Sequence, residues 1–136
     1  MGRWRTEQEN GIYLVEGPCR LQGEIRVQGA KNAALPILAA ALLTPESVIH
    51  RCPRLSDIDA AADILRHFGC RCEWDGGTLH VTRGEMTGCE IPEHLMREMR
   101  SSIVFLGAAI ARCGSARISM PGGCELGPRP IDMHLS

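Results

Sequence analysis

Cys124 lies between the pair Gly122-Gly123 and the turn residues Gly127 and Pro128, with Arg129 five residues further on. Glycines before it and a rigid turn after it describe a loop thiol, and a nearby guanidinium favours the thiolate, which is the reactive form. Such a thiol is a candidate acid or nucleophile. The competing reading is an inert loop cysteine, because spacing does not report a pKa. Arg129 stands next to Pro130 and ahead of Ile131, Asp132 and Met133. Its planar fork suits phosphate or carboxylate. Asp132 reads either as part of that arrangement or as ordinary negative charge in the first turn of a helix.

Two further positions place polar or cationic groups at expected helix beginnings. Lys31-Asn32 sits where an extended segment passes into a helix. Free backbone N–H groups and the helix dipole attract anions there, and a lysine adds full charge. A solvated surface lysine is the plainer alternative. Arg100 precedes the capping candidates Ser101 and Ser102, and a shift of 68 residues lays it on Asn32. The histidines at 50, 67, 80 and 94 have no partners at catalytic or metal spacing, and His134 is left undecided.

The elements that must hold these groups follow from periodicity. Tyr13–Gln28 alternates and turns at Gly17-Pro18, which predicts a hairpin. Asn32 is expected to cap a helix over Ala33–Leu43, with Pro36 in its first turn. Ser47–Arg51 reads as a short strand, and Ser56 or Asp57 as the cap of a second helix closed by Gly69. Cys70–Trp74, Asp75-Gly76-Gly77 and Thr78–Thr82 predict a hairpin. An apolar helix ending near Arg112 and a strand over Ala116–Met120 come next. The 68-residue shift also lays Ser47–Pro53 on Ser115–Pro121, so the chain carries one helix-strand-helix-hairpin unit and about half of another. A rival reading joins Pro92–Arg112 into one long helix.

Composition narrows the rest. With 136 residues, 44% of them hydrophobic, one modest domain can form, and only 4% are aromatic, so its core is aliphatic. A net charge of −1 gives no basic face for nucleic acid or acidic membranes. An anionic ligand must therefore be held by a few placed cations. The polar first ten residues do not read as a signal peptide. Cys52, Cys70, Cys72, Cys89 and Cys113 sit in or beside apolar runs, where free cysteine acts as a small hydrophobe. The expectation is a reduced, cytoplasmic protein without cofactor or metal. A thiol or metal module using Cys70 and Cys72 is the alternative.

Three motifs taken together, GAKNAALPIL (Gly29–Leu38), MRSS (Met99–Ser102) and PGGCELGPRPIDMH (Pro121–His134), resemble the UDP-N-acetylglucosamine 1-carboxyvinyltransferase family over about Tyr13–Ser136. The sister enzyme of the shikimate pathway shares the fold but lacks the cysteine loop. The resemblance implies the enolpyruvyl transferase fold, an α/β (α+β) inside-out barrel of helix-strand-helix-hairpin repeats. This chain would hold about one and a half repeats and an N-terminal hairpin. Residues 1–30 would be a tail and hairpin of the second domain, and 31–136 an incomplete first domain.

By the same resemblance, the enolpyruvyl group of phosphoenolpyruvate passes to the 3-hydroxyl of UDP-N-acetylglucosamine by addition and elimination, in peptidoglycan precursor synthesis. Lys31 and Asn32 would contact phosphoenolpyruvate, with Lys31 part of the catalytic set. Arg100, Arg129, Pro130, Ile131, Asp132 and Met133 would bind the UDP-sugar, with Arg129 also close to phosphoenolpyruvate. Cys124 would donate a proton and be alkylated by fosfomycin. Neither nucleic acid nor membrane is implied. A later aspartate base and another arginine would lie in the missing C-terminal part, so the chain alone is expected to be inactive.

Overall fold

Runs of aliphatic residues at helical spacing, broken by glycine and proline, set the element order. The computed structural model describes residues 20, 22–99 and 101–119. Four α-helices and five short strands follow in the order α1 (Lys31–Ala41), β1 (Glu46–Ile49), α2 (Ser56–His67), β2 (Arg71–Asp75), β3 (Thr78–Thr82), β4 (Glu90–Ile91), α3 (Glu93–Glu98), α4 (Phe105–Cys113) and β5 (Arg117–Ile118) among the described residues. A 3-10 turn, Ser102–Val104, leads into α4.

The first unit forms much as expected. β2 and β3 pair antiparallel across Gly76-Gly77, and β1 adds to the other edge of β3. Strand alternation turns Cys72, Leu79 and Val81 inward, while Glu73 and Thr82 face out. α2 lies against β2 and α1 against α2. Leu35, Leu38, Leu42, Ile58, Ile64, Leu65, Phe68 and Phe105 are fully buried in the core they share. Gly69 ends α2 as proposed. Its N–H bonds to the Arg66 carbonyl at 2.9 Å and that of Cys70 to Leu65 at 2.9 Å, the paired bonds of a Schellman motif.

Two expectations need correction, and one rival reading falls. Neither Asn32 nor Ser56 or Asp57 caps a helix. The N-caps are Ala30 and Leu55, whose carbonyls take the first bonds, and no side-chain cap is made. Both helices thus start earlier than the polar residues suggested, because Leu35 and Ile58 must already face the core. The long helix over Pro92–Arg112 does not form. Met99 is extended at φ −134°, ψ 124°, so the helical run divides after Glu98, and the buried Ser102 hydroxyl donates to the Met96 carbonyl at 3.0 Å across the break. The second strand expected up to Gln28 is not seen over 22–28, where Ile25 and Val27 are 86% and 85% exposed. An extended segment becomes a strand only when another backbone takes its hydrogen bonds. The first strand of that hairpin lies outside the described residues.

Of the second unit, the described residues show α4 followed by β5, the same helix-then-strand opening as α1 and β1 with shifted bounds. β4 and β5 pair in parallel, and α3 and α4 form the connection between them. The described sheets have three and two strands and close no barrel. Helices and strands are mixed throughout, as the α/β reading requires.

Packing also sets the state of the inner thiols. Burial pushes Cys70 up and Cys72 up to about 11. A thiol raised in the fold and ordinary when unfolded holds its proton longer in the native state. Stability from Cys72 is therefore whole below the unfolded value of 9.0 and falls as pH rises toward about 11. Unfolding by urea across that window is expected to show a decline steeper than in Cys72→Ala by about 1.4 kcal/mol per pH unit at most. Equal slopes would refute the burial argument.

Candidate substrate-binding site

The start of α1 is where the described cations and free amides gather. Gly29 brings the chain there. A Cβ on it would stand 2.3 Å from the Arg51 carbonyl oxygen, so only glycine lets the two backbones pass this closely. Lys31 and Asn32 then occupy the first turn, both exposed. Ala33 and Ala34 donate to the Ala30 carbonyl at 3.2 and 3.0 Å, while the N–H groups of Lys31 and Asn32 find no acceptor among the described residues.

α2 begins in the same way beside it. Ile58 and Asp59 donate to the Leu55 carbonyl at 2.9 and 3.1 Å. The two starts are joined by one ion pair, Lys31 Nζ to Asp57 Oδ2 at 2.6 Å. Two positive helix ends and an ammonium group therefore meet at one place, where Asp57 pairs with the lysine and Asp59 adds a second carboxylate in the first turn of α2. An anion arriving there would compete with Asp57 for the lysine and find free amides ready.

A groove of about 820 Å³ opens alongside, between residues 26–30 and the turn after β1. Arg26, Arg51 and Arg54 stand on its rim. Arg51 adopts φ 53°, a left-handed conformation uncommon outside glycine, and Arg54 stacks its guanidinium 3.7 Å over the Trp74 ring. Sequence reasoning missed this cationic rim and the Lys31 partner. Asp57 lies 26 residues from Lys31, and only the packing of α1 on α2 brings them together. Pro36 also falls in the interior of α1 instead of its first turn. Having no N–H, it leaves the Asn32 carbonyl without its usual helical donor.

Of the residues singled out from sequence, Lys31 and Asn32 are thus adjacent at one helix end. Arg100, Cys124, Arg129, Pro130, Ile131, Asp132 and Met133 lie outside the described residues. The alternative of a metal held by Cys70 and Cys72 finds no support. Both are buried, and the Cys72 thiol donates to the Ala62 carbonyl at 3.8 Å. No three His, Cys, Asp or Glu side chains converge among the described residues. No helix among them is long and apolar enough to cross a membrane.

Known proteins resemble the chain in sequence and in fold. Residues 15–136 match the family of EPSP synthase (3-phosphoshikimate 1-carboxyvinyltransferase). The chain is 52% identical over 126 residues to UDP-N-acetylglucosamine 1-carboxyvinyltransferase 2 of Caldanaerobacter subterraneus, covering 92% of this chain and 30% of that protein. It is 53% identical over 132 residues to UDP-N-acetylglucosamine 1-carboxyvinyltransferase 1 of Symbiobacterium thermophilum, again covering 30% of the relative. The chain therefore spans about 30% of the length of the curated relatives it matches. The crystal structure of the enolpyruvyl transferase NikO from Streptomyces tendae superposes with a TM-score of 0.67 at 28% identity, over 74% of this chain and 24% of that one. With nearly its whole length matched in sequence and most of it in fold, the chain belongs to the EPSP synthase family of enolpyruvyl transferases.

Proposed function

We propose that this chain contributes to an enzyme that transfers the enolpyruvyl group of phosphoenolpyruvate to the 3-hydroxyl of UDP-N-acetylglucosamine in the cytoplasm, in the service of peptidoglycan synthesis. The observation that carries the reading is the meeting of two helix beginnings at Lys31, with free amides at Lys31 and Asn32. Relatives about half identical to the chain bear the matching name. Phosphoenolpyruvate carries a phosphate and a carboxylate, and such a helix end suits either.

In this reading the sugar hydroxyl adds to C2 while C3 gains a proton. The tetrahedral ketal then loses a C3 proton and expels phosphate. Lys31, Arg100 and Arg129 balance the anionic substrates and hold the hydroxyl over C2, so positioning and electrostatics supply much of the rate. Arg100, Arg129, Pro130, Ile131, Asp132 and Met133 line the UDP-sugar. Cys124 protonates C3 and is the group fosfomycin alkylates. Residues 1–30 would pair with a second domain, while 31–136 belong to the first. An aspartate base and another arginine would come from sequence beyond this chain.

A hybrid tests the reading. The matched residues replace their counterparts in the Caldanaerobacter relative, and phosphate release from phosphoenolpyruvate is followed with and without UDP-N-acetylglucosamine. Sugar-dependent release, abolished by fosfomycin with a single adduct on Cys124, is the expected result. Release without the sugar, or an adduct elsewhere, would count against it.

A further inference from the structure

The groove beside α1 gathers positive charge that the described residues do not balance. Arg26, His50, Arg51 and Arg54 line it, and no Asp or Glu does. None of the three arginines takes part in an ion pair among the described residues, although the whole chain carries 16 acidic residues against 15 basic ones. Like charges around one concavity repel, and low-dielectric walls concentrate their field on whatever enters. Lys31 is not part of the lining, so the groove stands beside the helix beginning and not at it.

Two of these arginines are set in place before any ligand arrives. Arg51 is the only non-glycine residue at positive φ among the described residues, at 53°. Asparagine or glycine would hold that conformation more easily, whereas an arginine there is strained. Its turn is fixed on both sides. The Cys52 N–H donates to the Gly77 carbonyl at 2.9 Å, and Gly29 runs directly against the Arg51 carbonyl. Arg54 lies with its guanidinium 3.7 Å over the Trp74 ring, which restricts its rotamers. Strained residues gather at ligand clamps, and side chains already ordered lose less entropy on binding. Ala33, Ile37 and Ile49 add an apolar wall, with Ile37 50% exposed.

We propose that this groove is a second anion site, which binds a phosphate monoester carried on a small apolar body. The phosphate is held by Arg26, Arg51 and Arg54, and the body lies against Ala33, Ile37 and Ile49. Guanidinium forks meet phosphate oxygens two at a time, a geometry that an ammonium group cannot offer. An inorganic anion would use the cationic rim alone, so the apolar wall favours an organic one. At about 820 Å³ the groove has the size of a small-molecule site. The inference does not rest on the transfer reaction proposed above, because Lys31 has no part in it.

Isothermal titration calorimetry of the full chain with phenyl phosphate tests it, at about pH 8 where the ester carries two charges. One site is expected, weakened by added salt and tighter for phenyl phosphate than for orthophosphate. Arg51→Asn should weaken phenyl phosphate roughly tenfold, the share of one hydrogen bond to a charged group. Its thermal stability should stay level or rise, because asparagine suits the left-handed backbone. Ile37→Ser should weaken phenyl phosphate and leave orthophosphate unchanged. Arg54→Gln also loses the Trp74 stack, so Arg26→Gln, on an exposed segment, keeps the test decisive if that variant unfolds. Lys31→Ala should retain the site. Unchanged affinity in both Arg51→Asn and Arg26→Gln, or no binding of either probe, would overturn the proposal. So would binding lost in Lys31→Ala but kept in Arg51→Asn, which would put the anion at the helix beginning instead.

Discussion

Lys31→Ala in the hybrid enzyme is expected to lower kcat/KM for phosphoenolpyruvate by roughly 100- to 1000-fold, the usual effect of removing one preorganised electrostatic contact. The fold should hardly notice. The Lys31 and Asp57 side chains are 43% and 26% exposed, and an ion pair in that setting contributes less than about 1 kcal/mol. Thermal unfolding of the variant therefore separates lost chemistry from lost structure. Lys31→Arg keeps the charge but spreads it over a planar fork, so it should recover only part of the rate. Asp57→Asn supplies the opposite sign. With the competing carboxylate neutralised, KM for phosphoenolpyruvate should fall or stay level, not rise. A loss below threefold in Lys31→Ala would remove the helix-end site from the proposed mechanism.

That prediction draws on both sources, and it shows where sequence reasoning reached its limit. The place of Lys31 and Asn32 at a helix beginning was legible because an extended segment passing into a helix is a local pattern. The hairpin over Arg71–Thr82 was legible for a similar reason, since alternation and a Gly-Gly turn act locally. Gly69 was read correctly because a left-handed helix end is a one-residue property. The caps failed because packing overrode them: Ala30 and Leu55 have no capping side chain, yet burial of Leu35 and Ile58 fixes where the helices begin.

The break after Glu98 marks another limit. Leu95, Met99, Leu106 and their neighbours keep helical spacing through it, so periodicity favoured a continuous helix. The 68-residue shift pointed instead to a new start near Arg100. Met99 and Leu95 are both buried although Met99 itself is extended and ends the run of α3. Spacing reports which side chains are inside, not which dihedrals carry them there. The bonds from Ser102 to the Met96 carbonyl and from the Ser102 N–H to the Met99 carbonyl then satisfy polar groups that the break would otherwise orphan. Asp57 was invisible as a partner for a simpler reason. It lies 26 residues from Lys31 in the chain, and no local rule connects them.

Gly69→Ala should destabilise the chain by at least about 3 kcal/mol, several times the typical effect of a point substitution. Two separate causes add here. The residue sits at φ 84°, where an L side chain loses about 1–2 kcal/mol. A Cβ there would also stand 1.9 Å from the Glu85 carbonyl oxygen, and backbone cannot rotate aside as a side chain would. The contact is mutual, since a Cβ on Gly84 would meet the Gly69 carbonyl oxygen at 2.2 Å. Relief would have to come from moving residues 84–86, which carry Met86, away from the end of α2. Gly76→Ala provides the control. It has φ 54° with nothing within 4 Å of the added carbon, so it bears the dihedral strain alone. Urea unfolding of the two variants should therefore differ by more than about 1 kcal/mol, with Gly69→Ala the weaker. Equal losses would mean that conformation, not the close passage of two backbones, is what reserves this position for glycine.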